Sequence, residues 1–175
     1  MDETIEVLIS EEEIDRRISE MATEISKDYE GKTITLLGTL KGGVIFLADL
    51  ARKLDARVEF DFVRVSSYGN SDQPEGEVQL QDHTSNHEFA GKHILVVEDI
   101  VDTGHTLNFL RKYLTAQNPA SLKICVLLDK PDRRENKEAS FDYLGFTIPD
   151  KFVVGYGLDY AQRYRNLPYL GVLHF

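Results

Sequence analysis

Ile14, Ile18, Met21 and Ile25 recur at intervals of three and four residues, the stripe of an amphipathic helix, and they follow directly on Ser10-Glu11-Glu12-Glu13. That tetrapeptide reads as a capping box: the serine hydroxyl accepts from an orphan N–H, Glu13 reaches back, and the acids complement the positive helix end. The pattern predicts a helix to about Lys27, with Gly31 as the stop. Residues 33–37 read as a short buried strand, followed by Gly38-Thr39-Leu40-Lys41-Gly42-Gly43 and a helix with Val44, Leu47, Leu50 and Leu54 on one face. Val58, Phe60 and Phe62 alternate with Glu59 and Asp61, giving a second strand. The cycle then repeats, with a strand at 93–97, a helix at 104–116 carrying Leu107, Leu110 and Leu114, and a strand at 122–128.

Two strand-helix-strand units in succession imply an α/β fold: a mainly parallel sheet with helices on both faces and right-handed connections. Ligands of such sheets bind outside the carboxyl ends of the strands. Residues 66–91 hold Gly69, Asn70, Pro74, Gly76 and Asn86 and little apolar content, a long connection that reads as a lid or an insert. Beyond Lys130-Pro131-Asp132-Arg133-Arg134 only short segments remain, at 141–146, 152–156 and 169–173, and they are expected to form an accessory layer over the sheet edge. No repeat or linker divides the chain, so residues 1–175 are expected to form one domain.

Composition narrows the function. The net charge is −10, and most of the excess lies in residues 1–30, with eleven acids against three bases. A chain without a Lys/Arg stripe is a poor partner for nucleic acid, yet a small phosphate ester needs only backbone N–H groups, one lysine and a metal ion. No apolar run approaches the roughly 20 residues of a membrane span, and Asp2, Glu3 and Glu6 at the start do not resemble a secretory leader. Cys125 is the only cysteine, which argues for a reducing cytoplasm and against a thiolate metal site. His83 and His87 stand four apart in loop-like sequence with no partnering glutamate, so they do not read as a zinc pair.

The densest chemistry is Val96-Val97-Glu98-Asp99-Ile100-Val101-Asp102-Thr103-Gly104-His105-Thr106-Leu107. Three carboxylates leave a buried strand within five residues, and a Thr-Gly-x-Thr turn then opens a helix. Successive N–H groups and two hydroxyls at a positive helix end make a cradle for a phosphate monoester. The preceding carboxylates can accept from sugar hydroxyls and attract a divalent cation, so a phosphorylated sugar is the expected guest. There is no G-x-x-x-x-G-K-[ST], and Gly155-Tyr156-Gly157 lacks the third glycine of a dinucleotide fingerprint.

This string resembles the phosphoribosyl-diphosphate (PRPP) motif of type I phosphoribosyltransferases, and in its Glu-Asp-Ile-Val-Asp-Thr-Gly form that of the hypoxanthine-guanine phosphoribosyltransferases. Leu40-Lys41-Gly42-Gly43, Ser67-Tyr68, Leu128-Asp129-Lys130, and Phe152 to Tyr160 followed by Arg165 occur in that family's order. The resemblance implies a parallel sheet with a small hood built from the two chain ends and a lid over about 66–88. It also implies displacement of pyrophosphate from C1′ of PRPP by N9 of hypoxanthine or guanine, through an oxocarbenium-like transition state.

On that resemblance Thr103, Gly104, His105 and Thr106 hold the 5′-phosphate, although His105 occupies a position that is lysine in some members. Glu98 and Asp99 hold the ribose hydroxyls and magnesium, and Asp102 is the general base at N7. Lys41 and Gly42 form a pyrophosphate loop with a non-proline cis peptide after Leu40, and Arg165 assists the pyrophosphate. Lys130 donates to the purine 6-oxo group, Phe152 stacks on the ring, Val153 offers backbone contacts, and Asp159 sits at the base and magnesium end. Ser67 and Tyr68 close over the reacting atoms. A homodimer or homotetramer is implied. Two other readings stay open: a PRPP-sensing regulator on the same fold, and transfer to adenine, xanthine or a pyrimidine, of which Lys130 disfavours adenine.

Overall fold

Ser10 caps the first helix as its sequence dictates: its hydroxyl accepts from Glu13 N at 3.2 Å, and the Glu13 carboxylate accepts from Ser10 N at 2.8 Å. The computed structural model describes residues 3–68, 77–80 and 88–175, with the backbone alone for 66–68 and 77–79. In chain order the elements are β1 (Thr4–Ile9), α1 (Glu11–Asp28), β2 (Thr33–Leu40), α2 (Val44–Lys53), β3 (Arg57–Tyr68), β4 (Glu77–Leu80) and β5 (His93–Val101). They continue with α3 (His105–Thr115), β6 (Ser121–Asp129), β7 (Tyr143–Thr147), β8 (Val153–Val154) and β9 (Leu170–His174).

Six strands form the main sheet in the order β4-β3-β2-β5-β6-β7; five run parallel, and β4 pairs antiparallel with β3. α1 and α2 cover one face, where Ile14, Ile18, Met21, Phe46 and Leu50 pack on Ile34, Leu36, Leu95 and Val97. α3 covers the other, with Leu107, Leu110 and Leu114 against Leu37, Val63, Val96, Ile124 and Val126. A parallel sheet buried on both faces needs continuous apolar strands, which is why β5 and β6 read as unbroken runs rather than as alternation. From β2 the chain steps outward to β3, then returns to the opposite side of β2 as β5. The crevice of a doubly wound sheet opens at that reversal, beyond the carboxyl ends of β2 and β5.

Three features depart from the sequence reading. Residues 141–146, expected in an accessory layer, include β7, which pairs in parallel with β6 from Cys125↔Tyr143 to Asp129↔Thr147. The connection before it carries no α-helix, so the crossover pattern that marks a parallel strand is missing from the sequence. β2 and β5 run on to Leu40 and Val101, past their apolar runs, because strand pairing continues beneath polar residues that face the crevice. β1 went unforeseen, since its acids mask a weak strand pattern; it joins β9 and β8 in an antiparallel sheet of three strands. This hood shares one apolar cluster with α1 and α2, through Ile9, Val153, Leu170 and Val172. Within the expected lid, β3 continues to Tyr68 and pairs with β4; the lid's remaining residues, 69–76 and 81–87, lie outside the described residues.

Candidate active site

At the reversal the ends of β2 and β5 are stitched together by Thr39, whose hydroxyl donates to Glu98 Oε1 at 2.6 Å. Glu98 is buried, and its Oε2 has no hydrogen-bond partner. Burial first, and the neighbouring Asp99 charge second, push the Glu98 carboxyl well above the usual range. Burial raises Asp99 as well, opposed by the backbone N–H of Ile100, which donates to its Oδ1 at 2.8 Å. The two carboxyls therefore titrate as a pair, both raised by burial.

The Leu40–Lys41 peptide is cis, as the resemblance implied. Behind it Gly42 lies flush against the Asp99 carboxylate on one side, and its carbonyl meets Gly157 on the other. The loop thus joins the end of β5 to the hood. Lys41 Nζ crosses to Gln162 Oε1 at 3.1 Å, in the same 159–165 segment that carries Arg165.

Gly104 caps α3 with φ 87°, a left-handed turn with no side-chain cap, so the N–H groups of the first helical turn lack intrahelical partners. Thr103 and Thr106 stand beside them, and Glu98, Asp102, Thr103, Gly104 and Thr106 line a small cavity of about 80 Å³. An adjoining cleft of about 230 Å³ is lined by Thr39, Gly42, Glu98, Asp99 and Thr106. His105 Nε2 lies 2.9 Å from Glu135 Oε2, a partner that sequence reasoning missed.

Strand register brings the remaining groups together. Val101 on β5 pairs with Asp129 on β6, and Lys130 N donates to Val101 O at 3.0 Å, so Asp102 and Lys130 leave adjacent strand ends at the same height. Lys130 is 8% exposed, yet its ammonium makes no hydrogen bond or ion pair among the described residues. The ammonium itself reaches solvent, so it is free to meet an acceptor on a ligand. Phe152 is 48% exposed, with Tyr160 edge-on to its ring at 5.8 Å between centroids, and Val153 is buried beside it in β8. Asp159 Oδ1 is 2.9 Å from Arg165, and its Oδ2 accepts from Gln162 N at 2.8 Å, so both oxygens are engaged. Arg165 also donates to Gly157 O at 2.7 Å, while its Nε is buried without a partner. The backbone of Ser67 and Tyr68 ends β3, opposite Val78 and Glu77.

A larger cleft of about 790 Å³ opens between α1, α2 and residues 165–168, away from these carboxylates. Its charges already answer one another, Lys53 with Asp15 at 2.7 Å and Arg52 with Asp49, so size alone does not mark the site.

The donor set fits a hard divalent cation shared with substrate. Among the described residues no cluster of three or more ligating side chains exists, which excludes a self-sufficient cage. Two adjacent carboxyls with one buried oxygen left unpartnered do suit magnesium, which takes one or two carboxylates and draws its other ligands from water and phosphate.

Residues 9–161 match the family model described as "Phosphoribosyl transferase domain". The chain is 48% identical over 168 residues to the hypoxanthine-guanine phosphoribosyltransferase of Bacillus subtilis, covering 95% of this chain and 92% of that protein. It is 46% identical over 173 residues to the hypoxanthine phosphoribosyltransferase of Escherichia coli K12, covering 98% and 96%. The match to the bifunctional protein TilS/HprT of Listeria monocytogenes is 47% identical over 95% of this chain, which spans only 26% of that relative's length. Among solved structures, a hypoxanthine-guanine phosphoribosyltransferase from Bacillus anthracis superposes with a TM-score of 0.90 at 40% identity, covering 99% of this chain and all of that one.

Proposed function

This chain belongs to the phosphoribosyl transferase family, and from that membership we propose that it transfers the 5-phosphoribosyl group of PRPP to N9 of hypoxanthine or guanine, giving IMP or GMP and pyrophosphate in purine salvage. The observation that carries the choice of base is the placement of Asp102 and Lys130, whose ammonium has no partner among the described residues, on neighbouring strand ends. N7 and O6 lie on one edge of a 6-oxopurine and are read together by a donor and acceptor pair so spaced. Lys130 donates to O6. Asp102 takes the proton from N7 as the N9 lone pair bonds to C1′ and the bond from C1′ to pyrophosphate breaks.

The turn of Thr103, Gly104, His105 and Thr106 holds the 5′-phosphate on orphan N–H groups. Glu98 and Asp99 accept from the ribose hydroxyls and would hold magnesium, which when bound neutralises charge on the departing pyrophosphate. Asp159 joins them only by releasing Arg165, so its first task is to aim that arginine, with Lys41 and Gly42, at the pyrophosphate. Phe152 supplies the stacking face, backed by Tyr160, and Val153 the backbone contacts. Ser67 and Tyr68 head the lid, which excludes water from the oxocarbenium-like centre.

Two further assignments complete the reading. Phe60, 57% exposed, lies on the sheet face that carries α2, whose Val44 and Ile45 are also exposed; these residues support a homodimer or homotetramer, measurable by light scattering. No helix of the described residues is long and apolar enough to cross a membrane, and the buried free thiol of Cys125 supports a cytoplasmic enzyme. The deciding assay follows PRPP and magnesium with hypoxanthine, guanine, xanthine and adenine in parallel. Turnover of hypoxanthine or guanine with none of adenine is expected, and PRPP binding without turnover of any base would overturn the reading in favour of a sensor.

A further inference from the structure

The segment after Lys130 turns back over the phosphate cradle and grips it at four successive residues. Arg133 Nε donates to Asp102 Oδ1 at 3.2 Å, and Arg134 Nε donates to Asp102 O at 3.2 Å while its other end pairs with Asp129. Thr103 O accepts from both Glu135 N and Asn136 N, at 3.1 and 2.9 Å, and Glu135 meets His105. Sequence reasoning assigned nothing to any of the four.

Arg133 stands apart from the other three because it touches the reacting carboxylate itself. Its side chain is half-exposed, so it is not part of the core. It also reaches a second acid: Arg133 NH1 lies 3.9 Å from Asp150 Oδ1, two residues ahead of Phe152. One guanidinium therefore spans the two walls of the slot assigned to the base, the N7 edge at Asp102 and the stacking arm at Phe152. Asp102 Oδ2 makes no hydrogen bond among the described residues.

We propose that Arg133 is a positioning residue that occupies Asp102 Oδ1, leaves Oδ2 aimed at the purine N7 proton, and braces that carboxylate against the Phe152 arm through Asp150. The inference rests on the function proposed above. A planar fork with several donors can hold two carboxylates at fixed separation, which a lysine cannot do. A carboxylate held in one rotation presents its free oxygen without a search at the moment of proton transfer, and a misplacement of about 1 Å at such a group costs up to about 100-fold in rate.

The test compares Arg133→Met, Arg133→Lys and Asp150→Asn with the wild type in steady-state transfer to hypoxanthine, beside thermal unfolding and crystal structures. Arg133→Met is expected to lower kcat by roughly 10- to 100-fold with KM for PRPP within about twofold. Arg133→Lys should recover part of that loss, and Asp150→Asn should raise KM for hypoxanthine while lowering kcat less than Arg133→Met does. The Asp102 carboxylate should rotate in the Arg133→Met crystal structure. Unchanged kcat, an unmoved carboxylate, or an equal loss in PRPP binding accompanied by a fall in melting temperature would each overturn the proposal. A wild-type protein that turns over no 6-oxopurine would overturn the function instead, and the rotation of Asp102 would still decide what Arg133 does.

Discussion

Gly42 and Asp99 occupy adjoining volume: a β-carbon on Gly42 would fall 1.7 Å from Asp99 Oδ2. The loop proposed for the pyrophosphate and the carboxylate proposed for the cation are thus one packed unit, although 57 residues separate them in the chain. Gly42→Ala must displace Asp99 or the loop, so transfer should fall by about 100-fold or more while the melting temperature changes little. Steady-state kinetics with a parallel thermal melt check this, and an alanine variant of ordinary activity would show that the loop moves freely past Asp99.

Asp102 stands at the end of β5, half-exposed, with a carboxylate suited to take the N7 proton. Asp102→Asn keeps the shape and removes the proposed base. PRPP binding should persist, and kcat should drop by roughly 10²- to 10⁴-fold. Calorimetric titration with PRPP beside the rate assay separates the two, and undiminished turnover would remove Asp102 from the role.

Lys130 has a largely buried side chain whose ammonium reaches solvent without a partner among the described residues. Lys130→Ala should weaken hypoxanthine binding by about 1.5–3 kcal/mol, the worth of a charged hydrogen bond, and leave PRPP nearly untouched. Equal losses for both substrates would place the lysine elsewhere in the cycle.

The buried pair of Glu98 and Asp99 carries a pH signature, and Glu98 is the member to test. Its folded pKa lies above the unfolded one, so between those two values the native state binds more protons than the unfolded state, and stability falls as pH rises. The ligand-free protein should therefore melt at a higher temperature under mildly acidic conditions than at alkaline pH. Glu98→Gln, which still accepts from Thr39, should flatten that slope and raise the alkaline midpoint by roughly 2–4 °C for each kcal/mol recovered. Differential scanning calorimetry across pH reads the slope directly; the same slope in the glutamine variant would assign it to other groups.

Much of this molecule could be read from its residues, and the limits were physical. The twelve residues from Val96 to Leu107 carried strand, turn and helix start in one string, because a phosphate cradle is local. Lys130 stood out only by its place after β6, and its meeting with Asp102 depends on strand register. The hydroxyl of Thr39 on Glu98 and the Arg133 brace were not legible at all: each joins residues 31 to 59 positions apart, with no periodicity linking them. β7 escaped for a related reason, since a parallel strand reached without a helix leaves no crossover signature.

The hood sheet sets an order of assembly. β1 lies at residues 4–9 and its partner β9 at 170–174, so this sheet closes only after nearly the whole chain has been synthesised. The five parallel strands between residues 33 and 147 pair across far shorter separations, the longest joining β2 to β5 from Ile34↔His93, and can form first. The turn from Thr103 to Thr106, Glu98, Asp99, Asp102 and Lys130 belong to the early body; Phe152 and Arg165 arrive with the late one. Native-state hydrogen exchange should accordingly find the amides of β8 and β9 opening at lower free energy than those of β5 and β6. A protein so built would set the groups proposed for the sugar phosphate and for the purine edge before the ring proposed to stack on the purine.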